Sequence, residues 1–245
     1  MHPRWKRILL GVVIGSGALA GGGWILVHTL GEHETLYQGR SLYYWVNQCR
    51  SADSAVSNQA VVVLQASVVP DLTERMFHDT NDSSLRIALV EWLNGLPGVT
   101  IYFTPADGRR VGAAGTLGQI GPLAQKAIPD LIQALKGGDA AVRGPAARAL
   151  GEIHGEPDRV IPLLMSYLDD PQDGVPEGAV EGLGEFGVLA KAAVPKLLEM
   201  SKAAGQDKDM LGALSIALKR IEPEGAGPLD HGETGPHDHG GKAQP

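Results

Sequence analysis

From residue 117 to residue 221 the apolar positions fall into helical stripes that come in pairs. One stripe follows a proline: Pro129 leads into Leu131, Ile132 and Leu135, and the same phrase returns around Pro162 and Pro195, each 33 residues on. The other ends on a leucine–glycine phrase, 117-LGQIG-121, 150-LGEI-153, 183-LGEFG-187 and a degraded 218-LKRI-221. Spacings of 3 and 4 between apolar residues mark one face of a helix. Val142, Ala146, Ala149, Leu150 and Ile153 share such a face, and their small size predicts close helix packing. Proline suits a helix start, since its missing N–H would lack a partner there; Gly137-Gly138 predicts the stop that follows, and the glycines of the leucine–glycine phrase read as helix ends too. Two phrases with one period predict a repeat of helical hairpins. A single hairpin cannot bury both its faces, so stacking on copies is required. The expected fold is all-α, an α-solenoid over residues 55–222, in which Pro129, Leu150, Gly151, Pro162, Leu183, Gly184 and Pro195 hold structural repeat positions.

A second pattern precedes it. Residues 1–7 carry Arg4, Lys6 and Arg7, and residues 8–30 contain no Lys, Arg, Asp or Glu. That length matches the roughly 20 residues of a membrane-crossing helix. Basic residues before it, and Glu32 and Glu34 after it, predict a cytoplasmic N-terminus and a solenoid on the extracytoplasmic side. Ala18-Leu19-Ala20 resembles a signal-peptidase site, but the apolar run continues through Trp24, Ile25, Leu26 and Val27, which favours a retained single-pass anchor. Gly11, Gly15, Gly17 and Gly21 form small-residue pairs, which read first as membrane-helix filler. Residues 31–54 are expected to link anchor and solenoid: Ser41 caps a helix with Leu42, Trp45, Val46 and Cys49 on one face, a lid for the open first repeat. The rival reading places Tyr43, Tyr44 and Trp45 in a membrane-interface belt.

Composition narrows the function. A net charge of −7 opposes a nucleic-acid partner. Aromatic residues are 5% of the chain against 33 glycines, which suits thin, closely packed elements. The single cysteine, Cys49, excludes an intrachain disulfide and reads as a small apolar residue. Glu152, Glu177, Glu181 and Glu185 predict an acidic strip on the second helices. Arg109 and Arg110 beside Asp107 read as a charge cluster in a loop, capping the next helix. The tail, residues 223–245, is rich in Gly, Pro and charge and is expected to be disordered. His231, His237 and His239 there are the weak metal candidates, at a spacing that fits no ordered site. No nucleophile elbow, phosphate-cradling loop or helical His/Glu metal pair occurs, so neither an enzyme nor a cofactor is predicted.

The phrase over 127–153, which fits xIPxLIxxLxxxDxxVRxxAAxALGxI, resembles a HEAT repeat of the kind also found in phycobilisome-lyase-like proteins. The resemblance implies hairpins stacked in a right-handed superhelix with a concave face for protein or peptide partners. It also implies that Asp139 and Arg143 bond between neighbouring repeats. An earlier unit, 69-VPDL-72 with 85-LRIALVEWL-93, keeps that spacing at Asp82 and Arg86, whereas the 160–187 unit has Gln172 and Pro176 instead. The layout of an anchor, the phrase 37-YQGRSLYYW-45 and then HEAT units resembles that of bacterial membrane-anchored envelope proteins. The function implied is an interaction scaffold at the membrane. The alternatives are a lyase-like or chromophore-handling protein, or an envelope metal buffer acting through the tail.

Overall fold

The computed structural model describes residues 35–80, 82–96, 101, 103–137, 139–172 and 174–223. The expected anchor at 8–30, its glycine pairs and His231, His237 and His239 lie outside the described residues. Among the described residues no helix is long and apolar enough to cross a membrane.

The chain enters through a two-residue hairpin, β1 (Leu36–Tyr37) and β2 (Arg40–Ser41), with Leu36 opposite Ser41 and Tyr37 opposite Arg40. Its turn residues Gln38 and Gly39 both have positive φ, 50° and 73°, the backbone that a right-twisted two-residue hairpin turn requires. Helix α1 (Leu42–Gln48) follows, and its N-cap Ser41 Oγ accepts from the Tyr44 amide at 3.3 Å. Trp45 is buried and donates its indole N–H to the Tyr37 carbonyl at 2.7 Å. The Tyr37 hydroxyl donates to Asp71 on the first repeat; burial and that carboxylate push its pKa up. Tyr37 and Trp45 join the main core cluster, and Leu42, Tyr44, Val46 and Cys49 pack against it. Tyr43 points to solvent, and Cys49 is half-buried, with burial pushing its thiol up.

Helix α2 (Ser54–Val63) runs through a π-helical turn (Leu64–Val68) into α3 (Val69–His78). Pro70 lies just beyond the turn and has no amide for the carbonyl four residues back. The Val69 amide bonds instead to Leu64, five residues back, and the rod continues. After α3 come α4 (Ser84–Asn94), α5 (Ala106–Ile120), α6 (Ile128–Gly137), α7 (Ala140–Ile153), α8 (Pro157–Ser166), α9 (Val175–Phe186), α10 (Val194–Ala203) and α11 (Lys208–Ile221). Short 3-10 segments, Gly121–Ala127 and Gly187–Ala193, join α5 to α6 and α9 to α10.

These helices form two layers. Helices α3, α6, α8 and α10 make the first, and α5, α7, α9 and α11 the second, each packed on its hairpin partner. One core cluster runs from Tyr37 to Ile221. Leu117, Leu150 and Leu183, the repeated leucines, are fully buried in it. Contact between successive second-layer helices is extensive, while that between first-layer helices is marginal. Closer spacing on one side bends the stack toward the second layer, which therefore lines the inside of the curve.

Glycine makes this spacing attainable. A Cβ on Gly182 would lie 2.6 Å from the Ala147 carbonyl oxygen, and one on Gly144 2.5 Å from that of Gly174. One on Gly151 would overlap the Gly182 backbone, and one on Gly184 would lie 2.9 Å from Ala217 Cα. The glycines of the LGxIG phrase thus have two roles, where the sequence suggested only helix ending. Gly121 and Gly187, with φ of 66° and 55°, end α5 and α9. Gly118, Gly151 and Gly184 lie inside helices, where the next backbone passes.

Two further expectations need correction. Pro129 and Pro195 do sit in the first turns of α6 and α10, but Pro162 lies inside α8, which starts five residues earlier. There Pro157 takes the first-turn place, because no 3-10 segment follows α7. The second correction concerns 85-LRIALVEWL-93, which is not the second-layer partner of α3. That place belongs to α5, and α4 is inserted between the two with marginal contact to the stack. Its apolar face forms a separate small cluster of Val90, Leu93 and Ile101, flanked by Leu89 and Phe103.

Candidate functional site

The inner face of a curved repeat stack is its natural docking surface, and here it is built from the solvent side of α7, α9 and α11. Helical spacing of four puts Glu177, Glu181 and Glu185 in one row along α9. Arg148 and Glu152 flank that row from α7, and Ile216 and Arg220 from α11. Arg148 Nε donates to Glu181 Oε2 at 2.5 Å, and Arg220 pairs with Glu185. Between α7, α9 and α11 lies an open cavity of 190 Å³, floored by Gly184, Ala213 and Ala217 and rimmed by Arg148, Glu152, Glu181, Glu185, Ile216 and Arg220. Acidic side chains continue along the edge, where Asp170, Glu177, Asp207 and Asp209 border a second cavity.

Carboxylates outnumber guanidiniums on this face, and two of them, Glu152 and Glu177, are held above the ordinary carboxylate pKa, first by burial. Burial raises the Glu152 pKa above its ordinary 4.5; Arg148 pulls it back, and Glu185 and Glu181 add to the rise. The Glu152 carboxylate lies against Gly118, where a Cβ would collide with it. Burial also raises Glu177, helped by Glu181 and Asp209. Above an unfolded value near 4.5, the folded chain therefore holds the Glu152 proton longer than the unfolded chain does. Its contribution to stability falls as pH rises through that window. Glu152→Gln is expected to lose less stability than the parent between about pH 4 and about pH 7. Urea denaturation at both pH values measures this, and parallel losses would contradict it.

The repeat residues hold the face in place. Asp139 caps α7, accepting from the Ala141 amide at 3.2 Å, and pairs with Arg110 of the preceding unit. Arg143 donates from Nε to the Leu135 carbonyl at 3.0 Å and from Nη1 to Gln172 Oε1 at 2.5 Å, and it also pairs with Asp170. Gln172 thus replaces the expected aspartate, and the ladder carries on through this junction. Arg109 and Arg110 lie within α5, not in a loop. Pro105 ends the extended stretch and sets the start of the helix. Arg109 clasps Asp79 at 2.6 Å and Asp82 at 3.4 Å, while Arg110 donates to the Asp79 carbonyl at 2.8 Å. Asp82 also accepts from the Ala106 amide at 2.6 Å, so the spacing to Arg86 does not mark an equivalent pair. Arg86 instead lies over the Phe103 ring, 4.8 Å from its centroid. Among the described residues no group of three or more His, Cys, Asp or Glu is placed to hold a metal ion.

The sequence reading missed the lateral pairs Arg148–Glu181 and Glu185–Arg220. Their signal was present as opposite charges one repeat apart, which stacked helices bring side by side. At 52% and 30% side-chain exposure, Arg148–Glu181 is a surface pair, worth at most about 1 kcal/mol. Such pairs are cheap to exchange for a partner's charges.

No curated protein matched the chain in comparison. Residues 105–184 and 128–219 match the family model of HEAT repeats. These matched stretches span α5 to α11, the hairpins whose prolines, leucines and close-packing glycines recur through the stack. Residues 105–219 of the chain are HEAT repeats.

Proposed function

We propose that the chain is a protein-binding scaffold held on a membrane by residues 8–30, with its solenoid on the extracytoplasmic side. Its docking face is the acidic inner strip of α7, α9 and α11, and its ligand is an extended peptide segment carrying Lys or Arg. The observation that carries this reading is the row of Glu177, Glu181 and Glu185 with Glu152 beside it, four carboxylates bordering open cavities against the two guanidiniums of Arg148 and Arg220. Crowded carboxylates on an exposed surface cost stability, and an incoming cation relieves that cost. Extended repeat faces gather affinity from many moderate contacts, which suits a peptide lying across several helices. The anchor and its orientation rest on the apolar run and the basic residues before it.

The test is titration of a fluorescent Lys/Arg-rich peptide against the full chain, with an Asp/Glu-rich peptide as control. The basic peptide is expected to bind, more weakly at high salt, and the paired change Glu181→Lys with Glu185→Lys should cut affinity at least about tenfold. Equal binding of both peptides, or an unaffected charge-reversed variant, would sink the docking face. For topology, a reporter fused after residue 222 should be active only outside the cytoplasm. A cytoplasmic signal would overturn the orientation.

A further inference from the structure

The cavity between α7, α9 and α11 owes its existence to small residues. Gly184 lets α9 and α11 meet almost backbone to backbone, since a Cβ there would lie 2.9 Å from Ala217 Cα. With Ala213 and Ala217 beside it, no side chain rises to fill the 190 Å³ above this floor. One wall is Ile216, the large apolar side chain of the rim, and it is 57% exposed. The rest of the rim is charged. Glu152, Glu181 and Glu185 stand against Arg148 and Arg220, which leaves one negative charge unmatched. An apolar floor, an apolar wall and a deficit of one positive charge complement a single side chain, an aliphatic stem with a cationic head. Lysine and arginine both have that form.

The two glutamates of α9 decide between them. Arg148 Nε donates to Glu181 Oε2 at 2.5 Å, and Arg220 Nη1 donates to Glu185 Oε1. Each carboxylate thus gives one oxygen to an arginine of the chain and keeps a second for a ligand. A guanidinium binds best as a planar fork on both oxygens of one carboxylate. An incoming arginine must therefore displace Arg148 or Arg220 before it can bind in that way. An ammonium is a compact charge whose three donors need not share a plane. Glu181 and Glu185 are neighbours on one helix face at a spacing of four. A lysine head can take one oxygen from each and leave both ion pairs in place. Glu152 adds attraction from the side, with its Oε2 set against Gly118 on α5.

We infer that this cavity is the subsite for one lysine side chain of the docked peptide, and that it selects lysine over arginine. The stem packs on Ile216 and Ala213, and the head rests between Glu181 and Glu185. The inference rests on the reading of the inner face as a docking surface for basic peptides.

The test titrates two fluorescent peptides of equal length and charge against the full chain in a nonionic detergent. One is built of Lys-Ser-Gly repeats and the other of Arg-Ser-Gly repeats. The lysine peptide is expected to bind about fivefold more tightly. Ile216→Ala then removes the apolar wall at an exposed position, where the fold tolerates the change, and circular dichroism checks that it does. In this variant the lysine peptide should weaken about threefold to fivefold. The arginine peptide, lying outside the cavity, should keep its affinity, so the preference closes. Equal binding of both peptides to the parent chain, or tighter binding of the arginine peptide, overturns the lysine subsite and leaves the acidic face standing. A lysine preference that survives Ile216→Ala overturns the subsite as well, because the choice is then made elsewhere. Binding of neither peptide overturns the docking face, and the subsite with it.

Discussion

Replacing Gly151 by Ala is expected to destabilise the solenoid by more than about 2 kcal/mol, while the same change at Gly212 stabilises it by about 0.5–1 kcal/mol. Both glycines lie inside helices, so intrinsic propensity favours Ala at both. What differs is the neighbour. A Cβ on Gly212 meets nothing within 4 Å, whereas one on Gly151 would overlap the backbone of Gly182 on α9. Backbone cannot rotate away as a side chain can, so α7 and α9 must separate. That separation opens the interface lined by Leu150 and Leu183 and disturbs the floor of the acidic strip. Urea midpoints of the two variants measured side by side decide the matter. Shifts in the same direction would mean that helix spacing is not set at Gly151.

That opposition of sign also marks how far the sequence could be read. The period of 33 disclosed hairpins because Pro129, Leu150 and Leu183 obey local rules: helix starts and apolar stripes are written in neighbouring residues. The glycines of the same phrases looked like helix ends, because their second role depends on a backbone one repeat away. Arg109 and Arg110 were visible as charges, yet their partners Asp79 and Asp82 lie on the far side of the inserted α4, and Asp139 comes from the next unit. The α4 insertion was hidden for a related reason. Its stripe of Leu89, Val90 and Leu93 satisfies helical periodicity as well as any repeat helix does, and Asp82 with Arg86 imitates the family spacing. Only the position of α5 shows which helix entered the stack. The acidic strip was legible as four glutamates, because α7 and α9 are regular, but its pairing with Arg148 and Arg220 follows from stacking.

Arg143→Ala is expected to cost about 2–4 kcal/mol, since it removes a charge from a part-buried network and leaves Asp170 facing no cation there. Side-chain exposure is only 19% for Arg143 and 12% for Asp170, so water compensates weakly. The guanidinium also satisfies the Leu135 carbonyl in the last turn of α6, reaches Gln172, and lies 5.6 Å from the Tyr167 ring centroid. Lys cannot reproduce that fork, so Arg143→Lys should recover little of the loss. Arg148→Ala, at an exposed pair, should cost less than about 1 kcal/mol. A double-mutant cycle of Arg143→Ala with Asp170→Ala should return a coupling of about 1–3 kcal/mol. In a repeat stack the interface between neighbours carries the cooperativity. Loss of Arg143 loosens the junction between the unit ending at α7 and the one beginning at α8. Its urea transition should therefore broaden as well as shift, whereas a change that weakens one helix alone shifts the midpoint without broadening. A sharp transition with an unchanged slope would place Arg143 within a single repeat's stability and remove it from the link between two.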